Sequence, residues 1–424
     1  MLVEKKSVVI VGGGIVGLSC ALFAQRCGHH VKIIDPRGVG NGCSYGNAGV
    51  LAVSECLPVG TPELIKELPR LLFGSNSGLK LRFGYAPKML RWFYHFLKSC
   101  HPQRVHDIAV SLTPLLNAAL DAHHCLSGFA SCRHLIHEGG WIKAFSTDEA
   151  FRRAEIDFLR VEQYGVRCQY HQGDAVANLE PRLSGIFRHA VMLPDCQRVD
   201  SPAIYLQSLA EEFFRQGGEH IRAEIVGVDR REGRVISVHS QTETYKGENF
   251  IIAAGAHSKH LARAVGCNVP LDTERGYHLE FAMETDDLPR VPVFWAEESI
   301  VMSPINNVLR VTSGVELAGL RHRPDFTGLR KKREKIRSAL RGRVGDITAE
   351  WLGFRPSMPD SLPVIGRAEA ATNAYLAFGH GHLGLTLGPI TGKIVADLMT
   401  GASTEFNLAS YSPSRFNKSL LKYR

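Results

Sequence analysis

The chain opens with an apolar run, Val8-Val9-Ile10-Val11, that breaks into Gly12-Gly13-Gly14-Ile15-Val16-Gly17. Gly12, Gly14 and Gly17 fill the three glycine positions of a G-x-G-x-x-G fingerprint. The flanks suit it, with a buried parallel strand before and a helix from Leu18 to Arg26 after. In that setting the first glycine permits the tight turn, the second lets a pyrophosphate approach the backbone, and the third lets the helix pack close to the strand. The unpaired N–H groups of the helix start then bind phosphate. A second strand, Val31 to Ile34, ends in Asp35, 18 residues past Gly17. That is near the ~20 expected for a carboxylate on an adenosine ribose, and an acid there favours a ribose without a 2′-phosphate.

The segment Ser7 to Gln25 carries no charge and follows Lys5-Lys6, which is also how a signal or membrane segment begins. Four glycines in its middle, and a second strand directly after it, favour the nucleotide turn. No other stretch approaches about 20 apolar residues. At 424 residues the chain is too long for one simple core, so two or more domains are expected. Its 44% hydrophobic and 22% charged residues are ordinary for a soluble globular protein. The net charge of +8 is spread out, apart from Arg330-Lys331-Lys332-Arg333, Lys335, Arg337, Arg341 and Arg343. That run reads as the solvated face of a helix or, more sharply, as a docking patch for an anionic membrane surface or an acidic partner. No nucleic-acid partner is expected, because no recognition motif accompanies the charge.

There are ten cysteines and no C-x-x-C. Cys20, Cys27 and Cys267 lie in apolar or helical contexts and read as small core residues. A disulfide framework does not suit so long a chain, and a reducing cytoplasm is the expected compartment. The densest histidines, His123-His124, His134 and His137, have no zinc-like spacing, so no metal is expected.

Residues 57–126 read as mostly helical from Thr61-Pro62-Glu63 onward, since proline suits a first helical position. Arg91-Trp92-Phe93-Tyr94-His95-Phe96-Leu97 is an aromatic, amphipathic stretch that fits core better than membrane. An α/β pattern restarts at residue 200. It has a helix Ala203 to Arg215, a strand Ile221 to Val228, a strand Val235 to His239 and an apolar strand Phe250 to Ala254 ending in Gly255. Residues 271–315 alternate like an antiparallel sheet. The last segment returns to glycine-rich style in Gly379-His380-Gly381-His382-Leu383-Gly384-Leu385-Thr386, before a helix to Met399. Nucleotide-type segments thus recur at the start, middle and end, which suits a flavin domain assembled from separate stretches.

Four blocks carry a family resemblance: Gly12 to Gly17 with Asp35; Cys43-Ser44-Tyr45-Gly46-Asn47-Ala48-Gly49; Phe250 to Ser258; and Gly353-Phe354-Arg355-Pro356-Ser357-Met358-Pro359-Asp360 leading to Gly379 to Thr386. Together they resemble the D-amino-acid oxidase/dehydrogenase superfamily of FAD flavoproteins. Within it the chain is most similar to the small subunit of bacterial D-amino-acid dehydrogenase and to the D-hydroxyproline dehydrogenases. The resemblance spans essentially the whole length. It implies a mixed α/β fold, with a discontinuous Rossmann-like FAD domain (residues 1–56, 196–268 and 346–424) and a substrate domain with a mixed or antiparallel sheet (57–195 and 269–345).

The resemblance also implies the site. FAD would lie on Gly12, Gly14, Ile15, Val16, Gly17, Asp35, Pro36 and Arg37, and on the small-residue loop Ser44, Asn47, Ala48, Gly49 and Val50. The strand at Val226 would read the adenine edge. Ala254 and Gly255 would allow close approach, and Gly381, His382, Leu383, Gly384, Leu385 and Thr386 would place a positive helix end at the flavin pyrimidine. Relatives with covalent flavin carry a histidine where this chain has Gly46, so a non-covalent cofactor is implied, with Cys43 the remaining thiol of that loop. Arg355 would pair with the substrate carboxylate, since bidentate pairing is what a guanidinium does best. Tyr277 would offer its hydroxyl to the carboxylate or amine; His278 and His382 are candidate wall residues, each read first as a satisfied structural histidine.

The implied reaction is hydride transfer from Cα–H of a D-amino or cyclic imino acid to flavin N5, with D-hydroxyproline or D-proline favoured. Electrons would pass to a quinone or partner protein, with a peripheral contact at the inner face of the cytoplasmic membrane and an oligomer left open. Two other readings compete: a peroxide-forming oxidase of the sarcosine or glycine type, and an NAD-dependent dehydrogenase or non-catalytic nucleotide-binding protein.

Overall fold

A computed structural model describes residues 5–73, 78–82 and 84–416. Two sheets organise it. The first has six strands in the order Glu219–Ile221, His30–Ile34, Ser7–Val11, Asn249–Ile252, Ala371–Phe378 and Val364–Ala368. All of its pairings are parallel except that of the edge strand Val364–Ala368. Its strands come from three separated stretches of the chain, as expected for an assembled cofactor domain.

Ser7–Val11 lies mid-sheet with both faces covered, which is why it reads as an unbroken apolar run. Val8 and Ile10 enter one core, and Val9 and Val11 enter the other. Each such side chain contributes about 1.5–3 kcal/mol on burial. The helix Ile15–Arg26 follows at once and packs on the helix Gly384–Thr400. The second helix comes close because Gly388 and Gly392 carry no side chain. A Cβ on Gly392 would stand 2.5 Å from the backbone of Ser19. No helix among the described residues is long and apolar enough to cross a membrane.

The second sheet has ten strands, mixed in direction and mostly antiparallel. At its heart the eleven-residue strands Asp272–Ala282 and Ile347–Ser357 pair antiparallel, with Glu274 opposite Arg355. Ile347–Ser357, which the sequence groups with the cofactor stretches, thus pairs within this second sheet. Along this pairing the two strands satisfy one another's backbone groups. The outer ends of the expected cofactor domain, residues 1–4 and 417–424, lie outside the described residues.

Two more readings change. The strand expected over Ile221 to Val228 is two strands, Glu219–Ile221 and Gly227–Arg231, in different sheets. The basic run 330–343 is largely ion-paired: Arg330 with Glu350, Lys332 and Lys335 with Glu298, Arg333 with Asp346, and Arg343 with Asp287. Its charge is answered within the fold, which weakens the docking-patch reading. None of the ten cysteines is in a disulfide; Cys20 and Cys267 are buried and Cys27 is half-buried. The helix Leu90–Ser99 buries Trp92 and Phe96 in a stack 4.9 Å apart and leaves Leu90, Tyr94 and Leu97 exposed.

Candidate active site

A cavity of about 760 Å³ runs between the glycine turn of the first sheet and the long strands of the second. At one end it is lined by Gly12, Gly14, Ile15, Val16, Asp35 and Arg37. Gly12 adopts φ +109°, and a Cβ there would meet the Ala253 carbonyl at 2.4 Å, so only glycine allows this turn. Gly17 does not line the cavity. It acts beneath it, where a Cβ would stand 1.9 Å from the Gly12 carbonyl oxygen.

The Asp35 carboxylate is fixed at the strand end. One oxygen accepts from Gly13 N–H at 2.9 Å and the other from Arg37 N–H at 2.8 Å. Each oxygen keeps a lone pair for a ribose diol. Pro36 lies outside the lining, its carbonyl accepting from Arg222 Nε at 3.1 Å. Ser44 Oγ accepts from Ile15 N–H at 3.1 Å, tying the small-residue loop to the helix start.

That loop forms the middle of the cavity. Ser44, Asn47, Ala48 and Val50 line it, with Cys43 and Gly46. Gly49 instead packs against the Val199 carbonyl, 2.9 Å from where its Cβ would be. The loop is pinned by Arg310, which donates to the Asn47 carbonyl at 2.8 Å and pairs with Glu280. A Cβ on Gly46 would stand 2.3 Å from the Trp351 ring, so a histidine has no room there. Ala254 and Gly255 line the opposite wall, and a Cβ on Gly255 would meet nothing within 4 Å.

The helix Gly384–Thr400 begins at the cavity directly after the tight turn Gly381–Leu383 and has no side-chain cap, so its positive end is offered to an electron-rich group. Gly381, His382, Leu383, Gly384 and Leu385 line this end. Thr386 is buried behind it, its hydroxyl accepting from Ala52 N–H at 3.0 Å. A glycine cradle, a fixed acid and an open helix start fit a flavin dinucleotide; when bound, FAD supplies the two-electron acceptor.

Arg355 lines the same cavity. Its Nη1 donates to the Gly314 carbonyl at 3.1 Å and its Nη2 to that of Ser313 at 3.4 Å. The guanidinium crosses the neighbouring strand where Gly276 leaves space; a Cβ there would be 2.4 Å from Cζ. Burial pulls the Arg355 pKa down, and Cys43 and Glu274 oppose that.

Two expected residues are placed otherwise. Tyr277 lines the cavity, but its hydroxyl donates in a short bond to Glu316 and accepts from Asp325 N–H at 3.3 Å. Burial and Glu316 push that phenol up to about 12, so the hydroxyl is not free for a substrate. Val226 is 41% exposed and off the cavity, and its N–H donates to the His239 carbonyl at 2.9 Å. His278 is a satisfied structural histidine, bonded to the Gly46 carbonyl at 3.0 Å and stacked on Trp351. Burial and the Arg310 charge lower it to about 4.

His382 lines the cavity with Nε2 at 2.7 Å from Glu274, a residue that sequence reasoning missed. No local signal marks Glu274; only the register that sets it opposite Arg355 reveals it. Also missed were Trp141, whose buried Nε1 has no partner, and the Lys143–Glu55 pair at 2.6 Å, all lining the cavity.

The histidine-rich region has structural partners. His123 bridges the Tyr205 hydroxyl and the Leu385 carbonyl, both at 3.0 Å, and His137 meets Asp200 at 2.6 Å. Among the described residues no group of three or more metal-ligating side chains comes together.

The model of the family of FAD-dependent oxidoreductases named DAO matches residues 7–398. A D-amino-acid oxidase of Bradyrhizobium diazoefficiens is 34% identical over 97% of this chain and 99% of its own length. A D-amino acid dehydrogenase of Helicobacter pylori is 26% identical, covering 95% and 97%. The crystal structure of glycine oxidase from Geobacillus kaustophilus superposes with a TM-score of 0.75 at 22% identity, covering 97% and 99%. The nicotinamide and non-catalytic readings fall away: the glycine turn at residues 12–17 and the cavity it opens are those of an enzyme that belongs to the DAO family of FAD-dependent oxidoreductases.

Proposed function

We propose that the chain oxidises the Cα–N bond of a D-amino acid or cyclic D-imino acid, D-proline and D-hydroxyproline foremost, and passes the electrons to an acceptor other than oxygen. One observation carries this reading. The Arg355 guanidinium lies inside the cavity, braced on two backbone carbonyls, in reach of the space between the flavin-side loops and the apolar wall. A planar fork so placed suits a carboxylate. The names of the curated relatives support the substrate class.

In this reading Gly12, Gly14 and the helix start hold the pyrophosphate and Asp35 the ribose. The loop Ser44–Val50, Ala254-Gly255 and the start of the helix at Gly384 hold the flavin, without a covalent bond at Gly46. The cofactor domain then takes 1–56, 196–268 and 358–424, and the substrate domain the remainder. The helix Leu90–Ser99 supports a quinone or partner protein as acceptor, because it walls the cavity with Trp92 and Phe96 and exposes Leu90, Tyr94 and Leu97.

Trp141 supports the hydroxylated ring. Its ring lines the cavity and its Nε1 is sealed and unpartnered; a small turn of the ring that brings this N–H to a substrate hydroxyl relieves an unpaired buried donor, which costs about 1–3 kcal/mol. Trp141→Phe should therefore lower kcat/KM for 4-hydroxy-D-proline about 10-fold and leave D-proline within about twofold. Equal losses for both substrates would remove the hydroxyl contact.

The second reading is a peroxide-forming oxidase. The Bradyrhizobium relative's name and a lysine in the cavity favour it, since a cation near the flavin helps oxygen react. Glu55 neutralises Lys143 at 2.6 Å, which works against it. Peroxide formed in stoichiometric yield under air would establish the oxidase.

A further inference from the structure

We infer that Glu274 and His382 act as one unit that accepts the proton of the substrate's ammonium group, His382 as the base and Glu274 as its positioning residue. The inference rests on the reading of Arg355 as the carboxylate anchor.

The two residues come from distant parts of the chain. Glu274 sits in the strand Asp272–Ala282, and His382 on the turn that opens the helix Gly384–Thr400. His382 Nε2 lies 2.7 Å from Glu274 Oε2, and Glu274 Oε1 accepts from Ser357 Oγ at 2.6 Å. The carboxylate is buried and held on both oxygens, so it cannot swing away. A carboxylate on Nε2 fixes the tautomer of a neutral imidazole: the proton stays on Nε2 and the lone pair stands on Nδ1. Nδ1 has no partner among the described residues, and the His382 side chain, 43% exposed, opens on the cavity.

Placement relative to Arg355 matters as much. Glu274 stands directly opposite Arg355 in the strand pairing. An α-amino acid carries its carboxylate and ammonium on one carbon, so an anchor for the first and an acceptor for the second must be neighbours. The titratable and charged groups around the pair are Arg355 from the facing strand, Cys43 from the loop beside it, and His380 on the same turn. His380 is turned away to the Thr391 hydroxyl at 2.9 Å. Burial alone would raise Glu274. The His382 bond and charge, Ser357 and the Arg355 charge outweigh burial and bring it to about 2. It is therefore a carboxylate throughout the neutral range, able to hold an imidazolium.

The step balances. The substrate arrives as an ammonium. Its N–H bond breaks, the electron pair stays on nitrogen, and the proton forms an N–H bond at His382 Nδ1. The Cα hydrogen then leaves with its bonding pair, the two-electron chemistry that bound FAD supplies, and the nitrogen lone pair closes the C=N bond. The substrate is oxidised to an iminium and the imidazolium later returns its proton to water.

The test is anaerobic rapid mixing of holoenzyme with D-proline from about pH 6 to about pH 10, following flavin absorbance. Wild type should reduce faster as pH rises, to a plateau. His382→Gln should slow reduction about 100-fold and lose the inflection. Glu274→Gln removes the charge that favours imidazolium, so its inflection should move down by about one pH unit. An independent readout is the imidazole C–H resonance absent from His382→Gln: its chemical shift should change in Glu274→Gln. If His382→Gln keeps the wild-type pH profile and changes only KM, or if that resonance stays put in Glu274→Gln, the inference is overturned.

Benzoate, a carboxylate without an amine, separates this from the anchor. Its Kd should hold within about threefold in both variants and rise at least about 10-fold in Arg355→Lys. Undiminished benzoate binding in Arg355→Lys would remove the anchor reading, while the pH profile still decides the proton acceptor.

Discussion

Replacing Arg355 by lysine should lower kcat/KM for the amino-acid substrate about 100-fold while FAD stays bound. The charge remains and the fork does not. Arginine offers five donors in one plane; here two N–H groups are taken by the Gly314 and Ser313 carbonyls, which brace the guanidinium and leave the rest for a carboxylate. Lysine would have to serve both needs from one ammonium. Losing one charge-assisted hydrogen bond costs about 1.5–3 kcal/mol, which is one to two decades in rate. Because none of Arg355's hydrogen bonds reaches the glycine cradle, the flavin content of the purified variant should match wild type. Gly276→Ala should give a milder version of the same defect, since its Cβ would arrive 2.4 Å from Arg355 Cζ and push the fork aside. Steady-state kinetics on both variants, with the flavin spectrum as control, check the pair. Wild-type kinetics in Arg355→Lys would remove the residue from the substrate site.

Gly17→Ala should be the more drastic change, yielding a colourless and less stable protein. The new methyl would stand 1.9 Å from the Gly12 carbonyl oxygen and 3.0 Å from its carbon. These are backbone atoms, and the Gly12 turn cannot yield, because Gly12 is itself packed on the Ala253–Ala254 backbone. The helix Ile15–Arg26 must therefore move off the strand, taking with it the N–H groups that face the cavity. Overpacking of this kind costs about 1–3 kcal/mol of stability. The cofactor's own stabilisation is lost in addition, because a ligand that binds only the native state adds to its stability. Flavin content after purification and the thermal midpoint by circular dichroism measure the two effects. A yellow Gly17→Ala protein with a wild-type midpoint would mean that the turn is not built as described.

What the sequence made legible were features whose meaning is local. Gly12, Gly14, Gly17 and Asp35 act within one βαβ unit, so spacing alone places them. The apolar run before Gly12 says that its strand is covered on both faces. Arg355 stands out because Gly353-Phe354-Arg355-Pro356 is a local motif, and the fold sets it on the cavity. Features made by strand register were not legible. Glu274 looks like any carboxylate in an alternating strand, and its meaning comes from Arg355 across the ladder and His382, 108 positions away. Tyr277 seemed free because nothing nearby in sequence announces Glu316 as the partner of its hydroxyl. Val226 faces outward because the expected strand is divided between two sheets. Ile347–Ser357 runs straight on into nucleotide-type segments, so composition could not show that its partner is Asp272–Ala282.

The account stands or falls on whether a D-configured amino acid delivers electrons to the flavin of this chain. The direct measurement is anaerobic titration of the purified yellow protein with each enantiomer of proline, followed by an artificial dye under nitrogen and under air. D-Proline should bleach the flavin and the dye should restore it, with L-proline inert and little peroxide formed under air. Bleaching by L-proline alone, or a colourless protein with no bound flavin, would contradict it.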